Sequence, residues 1–304
     1  MAQPTTVLLP TTRWTSACDE VAGQLGPADE LLVICDGVDD PVADRDEFPA
    51  GVEVVVAGDP SGCSGKANAI DAGMERASND RIVWTDDDFH HPEDWLAQLR
   101  ADYEKHGPVS EVPFFVGKDP LAVLLEPVYA FGGTLGTWAG DIAWGGAVIF
   151  ERSDFDETAF RADLRRSISD DGILGEHLDV TTLRRARTVT SGGSIRDSLE
   201  RFVRFQKLVR FHAPGTAVAN AIGATVGTAL CLLFPLVMIA CTTVCYGAIY
   251  AVFGRGRWTF LLAFPATLLL VPLLAYAHAR RTFVWGGRRY RWRRKFEIEI
   301  VRTD

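Results

Sequence analysis

Arg81–Trp95 reads RIVWTDDDFHHPEDW. Ile82, Val83 and Trp84 make a short apolar run of the kind found in strands buried on both faces. Three carboxylates follow at once: Asp86, Asp87 and Asp88. Adjacent like charges repel, so at the end of a buried strand they call for either solvent or a cation. On an extended chain alternate residues point the same way, which lets Asp86 and Asp88 share a face. Two convergent carboxylates suit a hard cation, Mg2+ or Mn2+, above all where a diphosphate supplies further oxygens. An isolated acidic triplet reads more simply as a solvated turn, so its surroundings decide.

Those surroundings alternate strand and helix. TTVLLP, DELLVICD and VEVVVAG read as strands, and WTSACDEVAGQL and SGKANAIDAGMERA as helices. The pattern predicts a mostly parallel α/β sheet, whose ligands gather at the carboxyl ends of its strands. Asp36 closes the second strand in DGVDD, as a turn residue or as an acceptor for a nucleobase or ribose. Lys66 enters a helix from the Gly/Ser-rich turn GCSGKANAID. It can offer its charge to phosphate, although Ala67 breaks the P-loop pattern. In SISDDGILGEHL (residues 167–178), Asp170 and Asp171 precede an apolar helix. They read as helix caps or, opposite a metal–diphosphate site, as a general base.

The 304 residues carry a net charge of −9, which hides an asymmetry. Residues 1–195 hold 35 acidic and 15 basic side chains, and residues 196–304 hold 5 and 16. The acidic part would repel phosphates, which argues against a nucleic-acid partner. The six cysteines form no Cys-x-x-Cys pair, so neither a zinc site nor a disulfide framework is expected. The start, MAQPTTVLLPTT, lacks the basic and apolar regions of a secretory signal.

Residues 230–253 and 259–279 are charge-free and each long enough to cross a bilayer core of about 30 Å. Eight basic residues in 280–295 would lie in the cytoplasm by the positive-inside tendency. Two crossings then place the N-terminal domain there too, in a multi-pass protein of the cell membrane. The uncharged stretch 216–229 leaves room for a third crossing. Ahead of it, 195–215 has the spacing of an amphipathic helix on a membrane surface. The expected organisation is a catalytic domain over 1–194, an interfacial helix over 195–215, a membrane region over 216–279 and a basic tail over 280–304.

In this order the elements resemble the family 2 glycosyltransferases of the GT-A fold, from about Thr5 to Pro214. TVLLPTT is similar to the family's first strand, VICDGVDDP to the strand ending in the nucleotide-binding Asp, here Asp36, and SGKANAIDAG to its G-K-a-x-A-x-N-x-G helix, with Asp71 for Asn. IVWTDDDFHHP resembles the D-x-D strand, AWGGAVIFERSDFD the Gly-Gly segment by the acceptor site, and SDDGILG the segment carrying the catalytic base. RFVRF (201–205) resembles the [QR]-x-x-R-W motif of the ceramide-glucosyltransferase-like branch, with Phe205 for Trp. Polyprenyl-phosphate glycosyltransferases share the first three elements.

The resemblance implies inverting transfer of a hexose from a nucleotide-diphosphate sugar to a lipid acceptor. Asp36, Lys66, Asp86, Arg201 and Arg204 would bind the nucleotide sugar, Asp86 and Asp88 the metal, and Asp171 would be the base. Trp144, Gly145, Gly146 and Asp170 would lie on the acceptor side. A polysaccharide synthase, a nucleotidyltransferase and a non-catalytic nucleotide-sugar-binding protein are the alternatives. They would be recognised by more membrane spans, pyrophosphate release, or binding without turnover.

Overall fold

The computed structural model describes residues 3–301. Strands β1 (Thr5–Pro10), β2 (Glu30–Cys35), β3 (Val52–Val56) and β4 (Arg81–Thr85) form at the apolar runs. They pair in parallel in the order β3-β2-β1-β4, with helix α1 (Ser16–Ala22) between β1 and β2 and α2 (Gly65–Arg76) between β3 and β4. With β2 on one side of β1 and β4 on the other, the strand order reverses at β1, and the carboxyl ends of β1 and β4 are where ligands of open α/β sheets gather. Thr11 Oγ1 crosses between them to donate to Asp87 Oδ2 at 2.6 Å.

Helix α3 (Trp95–His106), strand β5 (Val109–Gly117) and helix α4 (Pro120–Tyr129) follow. A π-helical turn (Ala130–Leu135) leads to α5 (Gly136–Ala139) and β6 (Ala147–Glu151). Helices α6 (Glu157–Leu164) and α7 (Asp170–His177) and strand β7 (Thr181–Ser191) come next. β6 runs antiparallel to β4 and β5, and the sheet is ordered β3-β2-β1-β4-β6-β5-β7.

The chain divides into two units. The first is the chain up to Val112 with Thr137–Arg187 and Phe296–Ile298, and the second is Pro113–Gly136, Thr188–Lys295 and the chain from Glu299. In the first, Trp84 of β4 is wholly buried against Phe150 and Phe160. Arg81, the one charge on β4, is buried with its guanidinium on Glu151 and Glu104. α2 lies so close to the sheet that a Cβ on Gly73 would sit 2.4 Å from Ile34 Cδ1 and 3.1 Å from Leu8 Cδ2. The glycine ending the SGKANAIDAG motif is thus a packing requirement. Asp71, two residues earlier, is held by Arg161 and Arg165 at 2.7 Å each, an ionic cross-tie from α2 to α6 and the turn after it.

In the second unit, α8 (Ile195–His212) covers the expected interfacial helix and is capped by Ser194 Oγ, which accepts from Asp197 N. The apolar stretch departs from the two spans expected. It folds as α9 (Pro214–Leu233), α10 (Pro235–Val252) and α11 (Ala263–Ala279), with a 3-10 turn at Trp258–Leu262. Residues 230–253 are not one helix, because Pro235 has no N–H to give and its ring clashes with the preceding turn. All three helices are long and apolar enough to cross a membrane.

The expected basic tail is also folded, as strands β8 (Thr282–Trp285), β9 (Arg288–Arg294) and β10 (Glu297–Val301) of a second sheet. Gly286 and Gly287, with φ of 54° and 73°, make a two-residue hairpin turn between β8 and β9. Tyr290 and Trp292 turn inward between the arginines.

Replacing Gly73 by Ala is expected to overpack α2 against β1 and β2 and to cost about 1–3 kcal/mol. A chemical denaturation midpoint unchanged from wild type would contradict this packing.

Candidate active site

β4 ends at Thr85, and Asp86–Asp88 lie in the bend beyond it. The alternation of an extended strand therefore does not set their directions. Asp86 is half-buried and Asp88 exposed. Asp87 accepts from Thr11 and is thereby held to the loop after β1.

The bend is held from below by a buried relay. His91 is 1% exposed, and its Nε2 shares a 2.6 Å hydrogen bond with Thr85 Oγ1. Thr85 Oγ1 in turn donates to Gly146 O at 3.0 Å, and the same carbonyl accepts from Asp86 N at 3.3 Å. Burial lowers the His91 pKa to about 4, despite Glu20 beside it, so the ring is neutral at physiological pH. His91 thus holds Thr85 and, through the Gly146 carbonyl, the start of the acidic bend. Its exposed neighbour His90 pairs with Glu20 at 2.9 Å.

Lys66 stands in the first turn of α2, whose N-cap Ser64 accepts from Ala67 N. Its ammonium lies 2.6 Å from Asp86 Oδ1 and 3.1 Å from Asp170 Oδ2. Burial opposes that charge, but Asp170, Asp86 and Asp171 outweigh it and hold the pKa well above the ordinary lysine value. The lysine expected to meet phosphate is here a cation among three acids.

Asp170 and Asp171 open α7, yet its cap is Ser169, whose Oγ accepts from Gly172 N at 2.9 Å. The carboxylates are thus available for chemistry. Asp170 is buried. Asp171 Oδ1 accepts from Gly145 N at 2.7 Å. Burial, with the charges of Asp170 and Asp86, pushes the Asp171 pKa up to about 8, while Lys66 and the Gly145 N–H act the other way. The side chain is poised to exchange a proton near neutral pH.

Gly145 and Gly146 are glycines for steric reasons. A Cβ on Gly145 would lie 2.4 Å from Asp171 Oδ1 and 2.8 Å from Asp170 Oδ2, and one on Gly146 would run into the Trp144 ring. Trp144 is 8% exposed and packs on Phe89 at 5.4 Å between ring centroids. It supports the turn from within instead of offering a face to a sugar.

Asp36 is half-buried at the end of β2. The turn after it is closed by Asp40, whose Oδ2 accepts from Asp36 N and Gly37 N at 2.8 and 2.9 Å. Arg201 and Arg204 belong to the second unit. Arg201 lies over Phe115 and Phe205, and Arg204 over Phe205 and Trp285, the latter at 4.2 Å. Phe205, at the place of the motif's Trp, packs on Phe115 and Tyr129.

Among the described residues no group of three or more His, Cys, Asp or Glu is arranged to hold a metal by itself. The donor set still fits a hard divalent cation. Asp86 and Asp88 lie in one bend, and two carboxylates suit an ion that completes its shell with substrate oxygens.

Residues 15–157 match the family model described as Glycosyl transferase family 2. This segment, just under half of the chain, is similar to glycosyltransferase family 2 domains of the α/β GT-A fold, and the protein is a glycosyltransferase. The match holds Asp36, Lys66 and Asp86–Asp88 and stops short of Asp170 and Asp171. No curated protein matches the chain. Among solved structures, it is similar to glucosyl-3-phosphoglycerate synthase from Mycobacterium tuberculosis in complex with phosphoglyceric acid. That pair is 16% identical over 62% of this chain and 70% of the other, with a TM-score of 0.38. It is also similar to S. aureus TarS 1–349 in complex with UDP-GlcNAc, at 12% identity over 99% of each chain and a TM-score of 0.40.

Gly145→Ala should displace Asp171 and reduce transfer at least a hundredfold while the thermal midpoint moves by only a few degrees. Retained turnover in that variant would dissociate the Gly145–Asp171 contact from catalysis.

Proposed function

We propose that the protein is a membrane-associated inverting glycosyltransferase that moves a hexose from a nucleotide-diphosphate sugar to a hydroxyl of a lipid. The observation that carries this reading is Asp171: a shielded carboxylate, oriented by the Gly145 N–H, with a pKa of about 8. Such a group suits a base that must take a proton from an alcohol and hold it through the transfer.

In this reading Asp36 meets the nucleoside. Asp86 and Asp88 would hold Mg2+ or Mn2+, which supplies positive charge against the departing diphosphate. Lys66 keeps Asp86 and Asp170 in place and adds a fixed positive charge beside them. The acceptor hydroxyl gives its proton to Asp171 as its oxygen attacks the anomeric carbon from the face opposite the diphosphate. The bond from that carbon to the diphosphate oxygen breaks, its electron pair leaves with the nucleoside diphosphate, and the configuration inverts. The lipid acceptor is supported by the apolar helices α9–α11, and the cytoplasmic placement of the catalytic domain by the basic residues that flank them. A polyprenyl-phosphate acceptor is the second reading. Its oxygen is already ionised and needs no strong base.

Membranes carrying the protein, given a panel of labelled nucleotide sugars with Mn2+, are expected to move label into the organic extract, where mass spectrometry identifies the acceptor. Asp171→Asn should abolish this transfer. Near-normal turnover would remove the general-base role and favour a phosphate acceptor.

The pH profile gives a separate check. Asp171 accepts a proton only when ionised, so activity should rise as pH climbs through its pKa. Asp170→Asn removes a neighbouring negative charge, which lowers that pKa and moves the rising limb to lower pH. Lys66→Met removes the compensating positive charge and moves the limb to higher pH. Shifts of the opposite sign in steady-state profiles would refute the assignment.

A further inference from the structure

The apolar block of the second unit raises a question of topology that the reaction does not settle. α11 has 17 residues and is about 25 Å long. Both its ends are tied by buried carboxylates. Before its first residue, Glu126 of α4, 1% exposed, takes Arg257 at 2.8 Å and the hydroxyl of Thr259 at 2.5 Å. After its last residue, Glu200 of α8, 6% exposed, takes Arg280 at 3.0 Å and the backbone N–H of Val284 at 2.9 Å. The two carboxylates are joined along the unit itself, because Asp119 at the start of α4 accepts from Ser198 of α8 at 2.6 Å. α11 thus runs along the edge formed by α4 and α8 and packs on both.

The other two helices follow it. Thr228 of α9 donates to Thr267 O of α11 at 3.0 Å, and a Cβ on Gly227 would touch the same threonine. In α10, Tyr250 packs edge-on against Phe114 of β5, and Tyr246 against Phe131. If α11 crossed a bilayer, Glu126 and Glu200 would sit at opposite faces. The edge between them, with α4, the Asp119–Ser198 hydrogen bond and the end of β5, would then lie in hydrocarbon, where a charged group such as Asp119 is costly.

The outward faces of these helices are nevertheless apolar. Leu232 and Leu233 are each 70% exposed and Leu236 82%, with Ile222, Val237 and Val244 beside them. No charged residue occurs from 213 to 254, while Arg210, Arg255, Arg257, Arg280 and Arg281 stand at the margins. An apolar face with a cationic rim matches a leaflet with anionic headgroups.

We propose that α9, α10 and α11 do not span the membrane but lie in one leaflet, as a monotopic dock on the same side as the catalytic domain. This replaces the two-span hairpin expected from composition, and it holds whatever sugar or acceptor the enzyme uses.

Bacterial spheroplasts expressing the full chain, with Cys241 and Cys245 changed to Ala as the background, test it with a membrane-impermeant maleimide. Leu236→Cys, Gly256→Cys and Arg281→Cys are introduced singly. The protein should stay with the membrane through a high-salt wash and leave it only in detergent. No position should label in intact spheroplasts, and Gly256→Cys and Arg281→Cys should label after permeabilisation. Labelling of Leu236→Cys, Gly256→Cys or Arg281→Cys from outside would each demonstrate a crossing and overturn the proposal. Release of the protein in salt without detergent would overturn it equally, with a protein partner or a second copy covering the face.

Discussion

Everything at the candidate site is arranged around one ammonium among carboxylates. Lys66 comes from the first turn of α2, Asp86 from the bend after β4, and Asp170 from the first turn of α7. Three elements distant in sequence meet because the acids cannot be brought together without a positive charge, nor the lysine buried without negative ones. Asp171 lies next to this cluster, and the excess of negative charge there raises its pKa. Binding and proton transfer are thereby coupled. Whatever adds positive charge beside Asp86 also lowers the pKa of the base.

Much of the scaffold was legible in the sequence. β1, β2 and β4 are parallel strands with both faces covered, so they are written as unbroken apolar runs, and the acidic residues fall just past their ends. The contacts that make a site of these residues were less legible. Lys66 and Asp170 are a pair only because α2 and α7 pack in the first unit. Nothing local in the sequence shows that the His91 ring is buried against Thr85. The enclosure of Trp144 beside Phe89 is likewise a product of the fold that its place in the Gly-Gly segment does not show.

The C-terminal part shows where composition misleads. Eight basic residues in 280–295 read by composition only as a basic tail, and the Gly286–Gly287 pair and the alternation Arg289, Tyr290, Arg291, Trp292, Arg293 carry the signature of a hairpin. In the helices, hydrophobicity overrode the one residue that marks a break, Pro235. A count of apolar residues measures affinity for lipid. It does not reveal that the segment's two ends are tied to one edge of the same unit.

The central claim, that a carboxylate cluster balanced by one lysine sets Asp171 near neutrality, is most directly tested by titration of the Asp171 side-chain carboxyl by 13C NMR. Without ligand, its apparent pKa should be about 8, and it should fall when Mg2+ and a nucleoside diphosphate are added. An ordinary aspartate pKa near 4, unmoved by either addition, would contradict the account.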